Sequence, residues 1–317
     1  MPTRLWPCST SVRRWSTARA QFDHSRYEAR PLQRRLIGAT SALLLFVTAA
    51  CGDDDAASTG AGGQGGGSGG AGGATQSPAI LAAYFGLDEA LPAAANLLCP
   101  GAAGEDGMPL VLRDPLPNQA IDEAVFQVET ANGSPTALVC ATLAPAVEPT
   151  ELRTVLLVGE LGSAPDDEPV RVTIVGSLLT QAGMDLAGTS IEGVTPLADG
   201  PRLVVAERFS LNDLAGECPP AAVQAIQLTW EGGVTAAGGA TLGDPARQAI
   251  TVLVDDGGAN VPVTPVAIGD TDNDNYVVAC LDDARTAVHV DVAAGEFYDP
   301  GDDPNPTTSV AVTDPPF

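Results

Sequence analysis

Residues 124–139 read AVFQVETANGSPTALV, and this stretch decides the class of fold that the sequence predicts. Phe126 and Val128 alternate with polar residues, which is the two-residue period of a half-buried β-strand. Asn132-Gly133 follows, the strongest short signal for a tight hairpin turn, and a second β-forming run begins at Ala137. The stretch therefore predicts two antiparallel strands joined by a hairpin turn.

Similar short runs follow one another along the rest of the chain, separated by clusters of Pro, Gly, Asn and Asp. Ahead of them, residues 79–91 are rich in Ala and predict one or two short helical turns before Cys99. Asp256-Gly257-Gly258 predicts a turn between two later runs. The predicted class is all-β, with an antiparallel β-sandwich architecture. Strands are expected at residues 108–113, 124–130, 136–143, 153–159, 169–176, 202–209, 223–230, 249–254, 261–268, 275–281, 287–292 and 307–312.

One segment also carries a family resemblance. A strand-like run at residues 108–113 is followed by a turn at Asp114-Pro115-Leu116, and then by the Phe126-Gln127-Val128 run and the Asn132-Gly133 turn. This order resembles the opening of bacterial Ig-like modules. The resemblance implies an Ig-like sandwich and a surface or adhesive role, and it supplies no catalytic residue.

The charge of the chain is strongly negative and unevenly distributed. The formal net charge is -25, and all 15 basic residues are Arg. Residues 1–50 hold eight Arg and two acidic residues, a net charge of +6, whereas the rest of the chain holds seven Arg and 38 acidic residues, a net charge of -31. Phosphate backbones are bound by Lys and Arg, so this balance argues against a nucleic-acid partner.

The change of charge coincides with a predicted processing site. Arg34-Arg35 precedes an uncharged apolar stretch at residues 36–50, which is the plan of a secretory signal peptide. Fifteen residues of helix span about 22 Å, less than the roughly 30 Å hydrocarbon core of a bilayer. Thr48-Ala49-Ala50-Cys51 resembles the lipobox of bacterial lipoproteins, with Thr48 where the family most often has Leu. The resemblance implies that Cys51 is acylated and becomes the N-terminus; a plain secretory signal is the alternative.

These features predict how the chain is organised. Residues 1–50 form the signal peptide with a long n-region, and residues 51–77 comprise the lipidated Cys51 and a linker rich in Gly, Ala and Ser. Residues 78–180 and 181–313 form two β-sandwich halves, and residues 314–317 are a tail. The expected location is the cell envelope, with the membrane bound through the lipid anchor. Gly52 follows the lipid site, where Asp would imply retention in the inner membrane, so the resemblance favours the outer membrane.

Four cysteines remain after Cys8 is removed with the signal and Cys51 is acylated. An even set in an oxidising compartment predicts disulfides, and three pairings are open. Sequential pairing, Cys99 with Cys140 and Cys218 with Cys280, is preferred because it crosslinks each half separately. A zinc site is the rival interpretation, but the chain has no CxxC motif and only His289 remains after processing.

The run Asp270-Thr271-Asp272-Asn273-Asp274-Asn275 is the strongest candidate for a ligand site. Alternating carboxylates in a loop can converge on a hard cation, and the first half resembles the D-x-D-x-D ligands of calcium loops. An EF-hand would need Gly at position 275 and Glu at position 281, where this chain has Asn and Leu. We therefore expect a looser Ca²⁺ site at Asp270, Asp272 and Asp274; a solvated acidic turn is the alternative. Further ligands could come from nearby acidic loops, at Asp255-Asp256, Asp282-Asp283, Asp299 and Asp302-Asp303.

The sequence assigns no catalytic residue. His289 lies in an alternating run, which favours a position on the face of a strand over a Ser-His-Asp site. The function expected is that of a non-catalytic binding or structural module, stabilised by Ca²⁺, with a protein or glycan partner that the sequence does not identify. The alternative is a carboxylate-dependent hydrolase of glycosidase type, which needs only two acids at a suitable spacing. An enzyme should have a concave pocket that contains two acids with raised pKa values, whereas a module should confine its acids to exposed loops.

Overall fold

The computed structural model describes residues 78–214 and 216–316, so the predicted signal peptide, the linker and Cys51 lie outside the described residues. The described part is mainly β-structure with short helical segments, which confirms the all-β class; the sandwich arrangement and the division at residue 180 stay predictions. The longest helix, α1, covers Asp244–Ala249. The strands are β1 (Ile80–Ala83), β2 (Asp106–Leu112), β3 (Phe126–Thr130), β4 (Ala137–Thr142), β5 (Thr154–Glu160), β6 (Pro169–Ile174), β7 (Ser190–Glu192), β8 (Leu203–Phe209), β9 (Gln224–Trp230), β10 (Ile250–Asp255), β11 (Asn260–Val263), β12 (Ala267–Gly269), β13 (Tyr276–Leu281), β14 (Ala287–Val292) and β15 (Thr308–Thr313).

Two small antiparallel sheets enclose the first apolar core. One has the strand order β1-β2-β5-β4 and the other the order β3-β6-β7. Along β3 the side chains of Phe126, Val128 and Thr130 are buried and those between them are exposed, as the period of two requires. Phe126 and Val128 pack in the same core as Leu110 and Val155 from the other sheet.

The second core belongs to an eight-stranded sheet with the order β11-β10-β14-β15-β8-β9-β13-β12. β15 pairs with β8 in parallel, whereas the other described pairs in this sheet are antiparallel. The sheet curls so that apolar side chains from β8, β9, β10, β13, β14 and β15 pack together. Trp230 at the end of β9 stacks on Phe297, with ring centroids 4.4 Å apart.

The hairpin predicted at Asn132-Gly133 is wrong. The chain does turn there, with Gly133 at a φ of 75°, but β3 then pairs with β6 and β4 pairs with β5. The turn is closed by a backbone hydrogen bond from the Gly133 N–H to the Thr130 carbonyl at 3.2 Å. Side chains add to it, because the Ser134 N–H donates to Thr130 Oγ1 at 2.8 Å and the Thr136 hydroxyl donates to the Val128 carbonyl at 2.9 Å. The two strands thus enter different sheets. The turn predicted at Asp256-Gly257-Gly258 does join two paired strands, β10 and β11.

The N-terminal helical segment is displaced from where the sequence predicts it. Residues 80–83 form β1, which pairs with β2, because tertiary pairing outweighs the helix propensity of Ala. A single 3₁₀ turn, Ala93–Leu97, does precede Cys99.

Both preferred disulfides are present. Cys99 is bonded to Cys140 of β4, and Cys218 is bonded to Cys280 of β13. The second bond fixes the connection between β8 and β9 to the strand that follows the acidic run. No described helix has the length and hydropathy needed to cross a bilayer.

Candidate metal centre

The acidic run forms the connection between β12 and β13, and we call residues 270–275 the acid loop. Asp270 and Asn273 have φ values of 50° and 78°, in the left-handed region that Asp and Asn tolerate best among residues with side chains. Asp274 turns back on its own strand, since its Oδ1 accepts the Tyr276 N–H at 2.7 Å. In this conformation one carboxylate oxygen from each of Asp270, Asp272 and Asp274 lies within 4.8 Å of the other two. The structure therefore brings the three predicted ligands together.

Two further acids, Glu148 and Glu151, approach the acid loop from the connection between β4 and β5. The sequence does not single them out. Carboxylate oxygens of Glu148, Glu151 and Asp274 also lie within 4.8 Å of one another. Asp274 thus belongs to both groups. We call the five residues Glu148, Glu151, Asp270, Asp272 and Asp274 the acid cluster.

Hydrogen bonds across the eight-stranded sheet hold Glu151 in this position. The Tyr276 hydroxyl donates to the Glu151 carbonyl oxygen, and Gln227 Nε2 donates to Thr150 Oγ1 at 3.1 Å. Two residues further on, Arg153 forms a buried ion pair in which one guanidinium nitrogen contacts both carboxylate oxygens of Glu207 on β8. The segment is therefore fixed to β8, β9 and β13 immediately beside the acid loop.

The connection between β8 and β9 holds the start of the acid loop. The backbone N–H of Asp270 donates to the Glu217 carboxylate at 2.6 Å. Glu217 precedes the disulfide-bonded Cys218, and its carbonyl oxygen would lie only 2.3 Å from a Cβ added at Gly269. Glycine at position 269 therefore permits this close approach.

Burial and mutual repulsion raise the pKa values of most of the cluster. Burial is the main cause at each raised site; it raises the pKa of Glu151 to about 11, that of Asp274 to about 8 and that of Asp270 to about 7, and neighbouring carboxylates add to each shift. The pKa of Asp272 is also raised by burial and by the charge of Glu148. The pKa of Glu148 is lowered, mainly by its hydrogen bond with Glu151. Without a cation, the cluster must hold protons near neutral pH.

The chemistry of the cluster suits a hard divalent cation. The donors are carboxylate oxygens, which Ca²⁺ prefers at six- to eightfold coordination, and neither His nor Cys belongs to either group. None of the ion pairs between described residues includes a member of the cluster. A bound cation would supply the positive charge that no ion pair of the described residues brings to the cluster.

The other acidic loops do not join the cluster in the structure. Asp283 and Asp256 pair with Arg285 at 2.6 Å and 3.3 Å, and this pairing lowers the pKa of Asp283 to about 2. Asp299 Oδ2 lies 2.6 Å from the Tyr84 hydroxyl oxygen, and Asp302 accepts a hydrogen bond from the Gly238 N–H. None of the acids in these loops belongs to either carboxylate group of the described residues, so the expectation that they add ligands is wrong for these groups.

A cleft with a volume of about 160 Å³ lies beside the acid loop. Its lining is mainly apolar and includes Leu87, Pro109 and Leu156, and Asp274 forms part of one wall. The cleft therefore has one acid with a raised pKa in its lining. Glu151 and Asp274 are buried, although a module was expected to confine its acids to exposed loops.

His289 lies on a face of β14, as the alternating run predicts. Its Nε2 contacts Ser309 Oγ at 2.6 Å, and the nearest carboxylate oxygen of Asp291 lies 3.5 Å from the same nitrogen. A Ser-His-Asp triad needs the acid on the opposite ring nitrogen, Nδ1. This arrangement therefore lacks the geometry of a triad.

Comparison with models of protein families, with curated proteins and with solved structures finds no match.

Proposed function

We propose that the chain is a lipid-anchored protein of the cell envelope whose β-rich ectodomain is a non-catalytic binding or structural module stabilised by Ca²⁺. The signal-like segment and the lipobox-like Thr48-Ala49-Ala50-Cys51 support the anchor. Two disulfides are in keeping with an oxidising compartment outside the cytoplasm. The ectodomain is strongly acidic, so anionic lipid would repel it and attachment would depend on acyl chains at Cys51.

The convergence of five carboxyl groups, none of which forms an ion pair with a described basic side chain, carries the calcium part of the proposal. Close carboxylates repel one another, and burying them costs further free energy because charge is removed from water. A divalent cation removes both costs, and its binding free energy adds to the stability of the folded state. The Ca²⁺ would link the acid loop to the connection between β4 and β5.

Calorimetric melting with Ca²⁺ and with a chelator tests this part. At a free Ca²⁺ concentration of 100 times Kd the stabilisation is about 2.7 kcal/mol, which for a chain of this size raises Tm by roughly 5–11 °C. Asp272→Asn should remove most of the increase, whereas Asp302→Asn, an exposed acid outside the cluster, should retain it. An unchanged transition of the original protein in millimolar Ca²⁺ would show that the site is a solvated acidic turn.

The anchor has a separate test in the full-length chain. Cys51→Ala should abolish incorporation of labelled palmitate and move the protein from the membrane fraction to the soluble fraction. Cys8→Ala is the matched control, because that residue leaves with the signal, and it should change neither result. Labelling that persists in Cys51→Ala would contradict the anchor. Capture of partners from envelope fractions, with the linker-free ectodomain as bait, addresses the protein or glycan ligand.

One observation favours the second candidate, a carboxylate-dependent hydrolase. Asp274 lines the cleft and its pKa is raised to about 8, as a general acid at neutral pH requires. A glycosidase also needs a second carboxylate across the scissile bond, at roughly 5–5.5 Å or 6.5–9.5 Å depending on mechanism. Turnover of aryl glycosides that is lost in Asp274→Asn and kept in Asp302→Asn would show that the protein is a hydrolase and would refute the proposal of a non-catalytic module. We expect no turnover.

A further inference from the structure

Outside the acid cluster, the buried acid Asp299 lies against a tyrosine at the wall of the cleft. Tyr84 follows β1 and is completely buried. Its hydroxyl oxygen lies 2.6 Å from Asp299 Oδ2 and 2.8 Å from the carbonyl oxygen of Asp199. These partners are 215 and 115 residues away in sequence. Three distant segments therefore meet at one hydroxyl group, and Tyr84 and Pro300 line the cleft there.

The number of hydrogens available at this contact distinguishes an ionised Asp299 from a protonated one. A tyrosine hydroxyl has one hydrogen to donate, whereas an ionised carboxylate and a backbone carbonyl are both acceptors only. If Asp299 is ionised, two acceptors compete for that hydrogen. If Asp299 is protonated, it donates to the Tyr84 oxygen, and Tyr84 donates to the Asp199 carbonyl. Only the second arrangement gives each of the two short contacts its own hydrogen.

The surroundings of Asp299 also favour its neutral form. The residue is 2% exposed, and its other oxygen accepts the Asp303 N–H at 2.7 Å. Burial is the main cause that raises the pKa of Asp299, and the charge of Asp303 adds to it, against the opposing hydrogen bonds from Tyr84, Asp303 and Gly301. Burial likewise raises the pKa of Tyr84, so the phenol keeps its hydrogen.

The neighbouring segments bring few positive charges to this contact. Glu231, at the end of β9, accepts hydrogen bonds from the Thr195 hydroxyl and the Arg202 N–H. The Arg202 guanidinium lies at the surface and binds the Asp199 carboxylate at 3.0 Å. Within the Asp299 loop, Asp302 is exposed and accepts the Gly238 N–H.

We propose that Tyr84, Asp299 and the Asp199 carbonyl form a proton-held latch that joins three segments at the wall of the cleft. The latch is closed while Asp299 holds its proton. As the pH rises and the proton leaves, the carboxylate takes the Tyr84 hydrogen, and the Asp199 carbonyl loses its donor. The latch does not involve the acid cluster, so it holds or fails independently of Ca²⁺ binding.

Infrared difference spectroscopy on the full-length protein at neutral pH, with ¹³C-labelled Asp, tests the latch. The protein should have one protonated Asp carboxyl band, besides any from Asp270 and Asp274, that is missing from Asp299→Asn. The matched control Asp302→Asn, in the same loop, should retain the band. In Tyr84→Phe the proton loses its acceptor, so the band should shift to higher frequency. A band that is unchanged in both Asp299→Asn and Tyr84→Phe would overturn the latch.

Stability as a function of pH gives a second readout. Asn at position 299 can donate to Tyr84 permanently, so Asp299→Asn should unfold at the same urea concentration as the original protein at low pH. A carboxyl whose native pKa is raised loses its stabilising effect as the pH rises. The variant should therefore become the more stable of the two at higher pH. A constant difference between them at every pH would contradict the latch.

Discussion

The buried ion pair between Arg153 and Glu207 allows a quantitative prediction about the junction of the two cores. Two guanidinium–carboxylate contacts, at 2.8 Å and 2.7 Å, join the start of β5 to β8. The side chains are only 3% and 4% exposed. Removing one partner of such a pair leaves the other charge buried, which costs about 3–5 kcal/mol. For a chain of this size the loss corresponds to a fall in Tm of roughly 6–20 °C.

The two single substitutions should lower the stability by different amounts, because the Glu207 carboxylate can take up a proton whereas the Arg153 guanidinium cannot lose one. Glu207→Gln leaves a guanidinium that cannot lose its proton, with the Arg113 carbonyl at 2.8 Å as a remaining acceptor. This variant should show the full loss. Arg153→Met leaves Glu207 without its partner. The pKa of Glu207 is already raised by burial, and Arg153 limits this rise in the original protein. Glu207 can then take up a proton, so the loss should be smaller and should grow as the pH rises.

Urea unfolding of the original protein, the two single variants and a double variant measures these effects. Arg153→Met combined with Glu207→Leu removes both charges and should recover most of the stability. The control is Arg171→Met, since the pair of Arg171 with Glu192 is exposed and should contribute less than about 1 kcal/mol. A Glu207→Gln loss no greater than that of Arg171→Met would refute the reasoning, as would a double variant no more stable than Glu207→Gln.

Three further predictions concern the acid loop. Replacing Cys218 and Cys280 by Ser should cost about 4 kcal/mol in urea unfolding, because the bond closes a 62-residue separation. Gly269→Ala should weaken Ca²⁺ binding measured by calorimetry, because the added Cβ meets the Glu217 carbonyl, whereas Gly257→Ala, at an exposed turn, should leave it unchanged. Without Ca²⁺, stability should fall from pH 5 to pH 8, since Asp274 holds its proton up to about pH 8 when folded and releases it near pH 4 when unfolded. Excess Ca²⁺ should abolish this slope, because the bound cation keeps the carboxylates of the folded protein ionised, as they are in the unfolded chain.

The strands were predictable wherever burial follows the period of two. β3 shows this directly, with Phe126 and Val128 buried and Gln127 and Glu129 exposed. The same local pattern could not tell which strand pairs with which, because the Asn132-Gly133 turn fits a hairpin as well as a passage between sheets. The predicted strand at residues 261–268 is divided into β11 and β12, which lie at opposite edges of the eight-stranded sheet.

The candidate site was predictable only in its local part. Asp270, Asp272 and Asp274 are close in sequence, and a loop is enough to bring them together. Glu148 and Glu151 reach the same place through tertiary contacts such as that of Gln227 with Thr150, and no spacing in the sequence indicates these contacts. The cysteine pairs were predictable because an even number of cysteines leaves few pairings.

The position of β15 has a consequence for biosynthesis. The last strand lies between β14 and β8, and its hydrogen bonds join the four strands β11-β10-β14-β15 to the four strands β8-β9-β13-β12. The large sheet cannot be completed until residues 308–313 have left the ribosome. A chain that stops earlier leaves the unpaired edges of β14 and β8 open to pairing with other chains. Premature termination near the 3′ end of the message should therefore yield aggregates or degraded protein rather than a shorter folded protein.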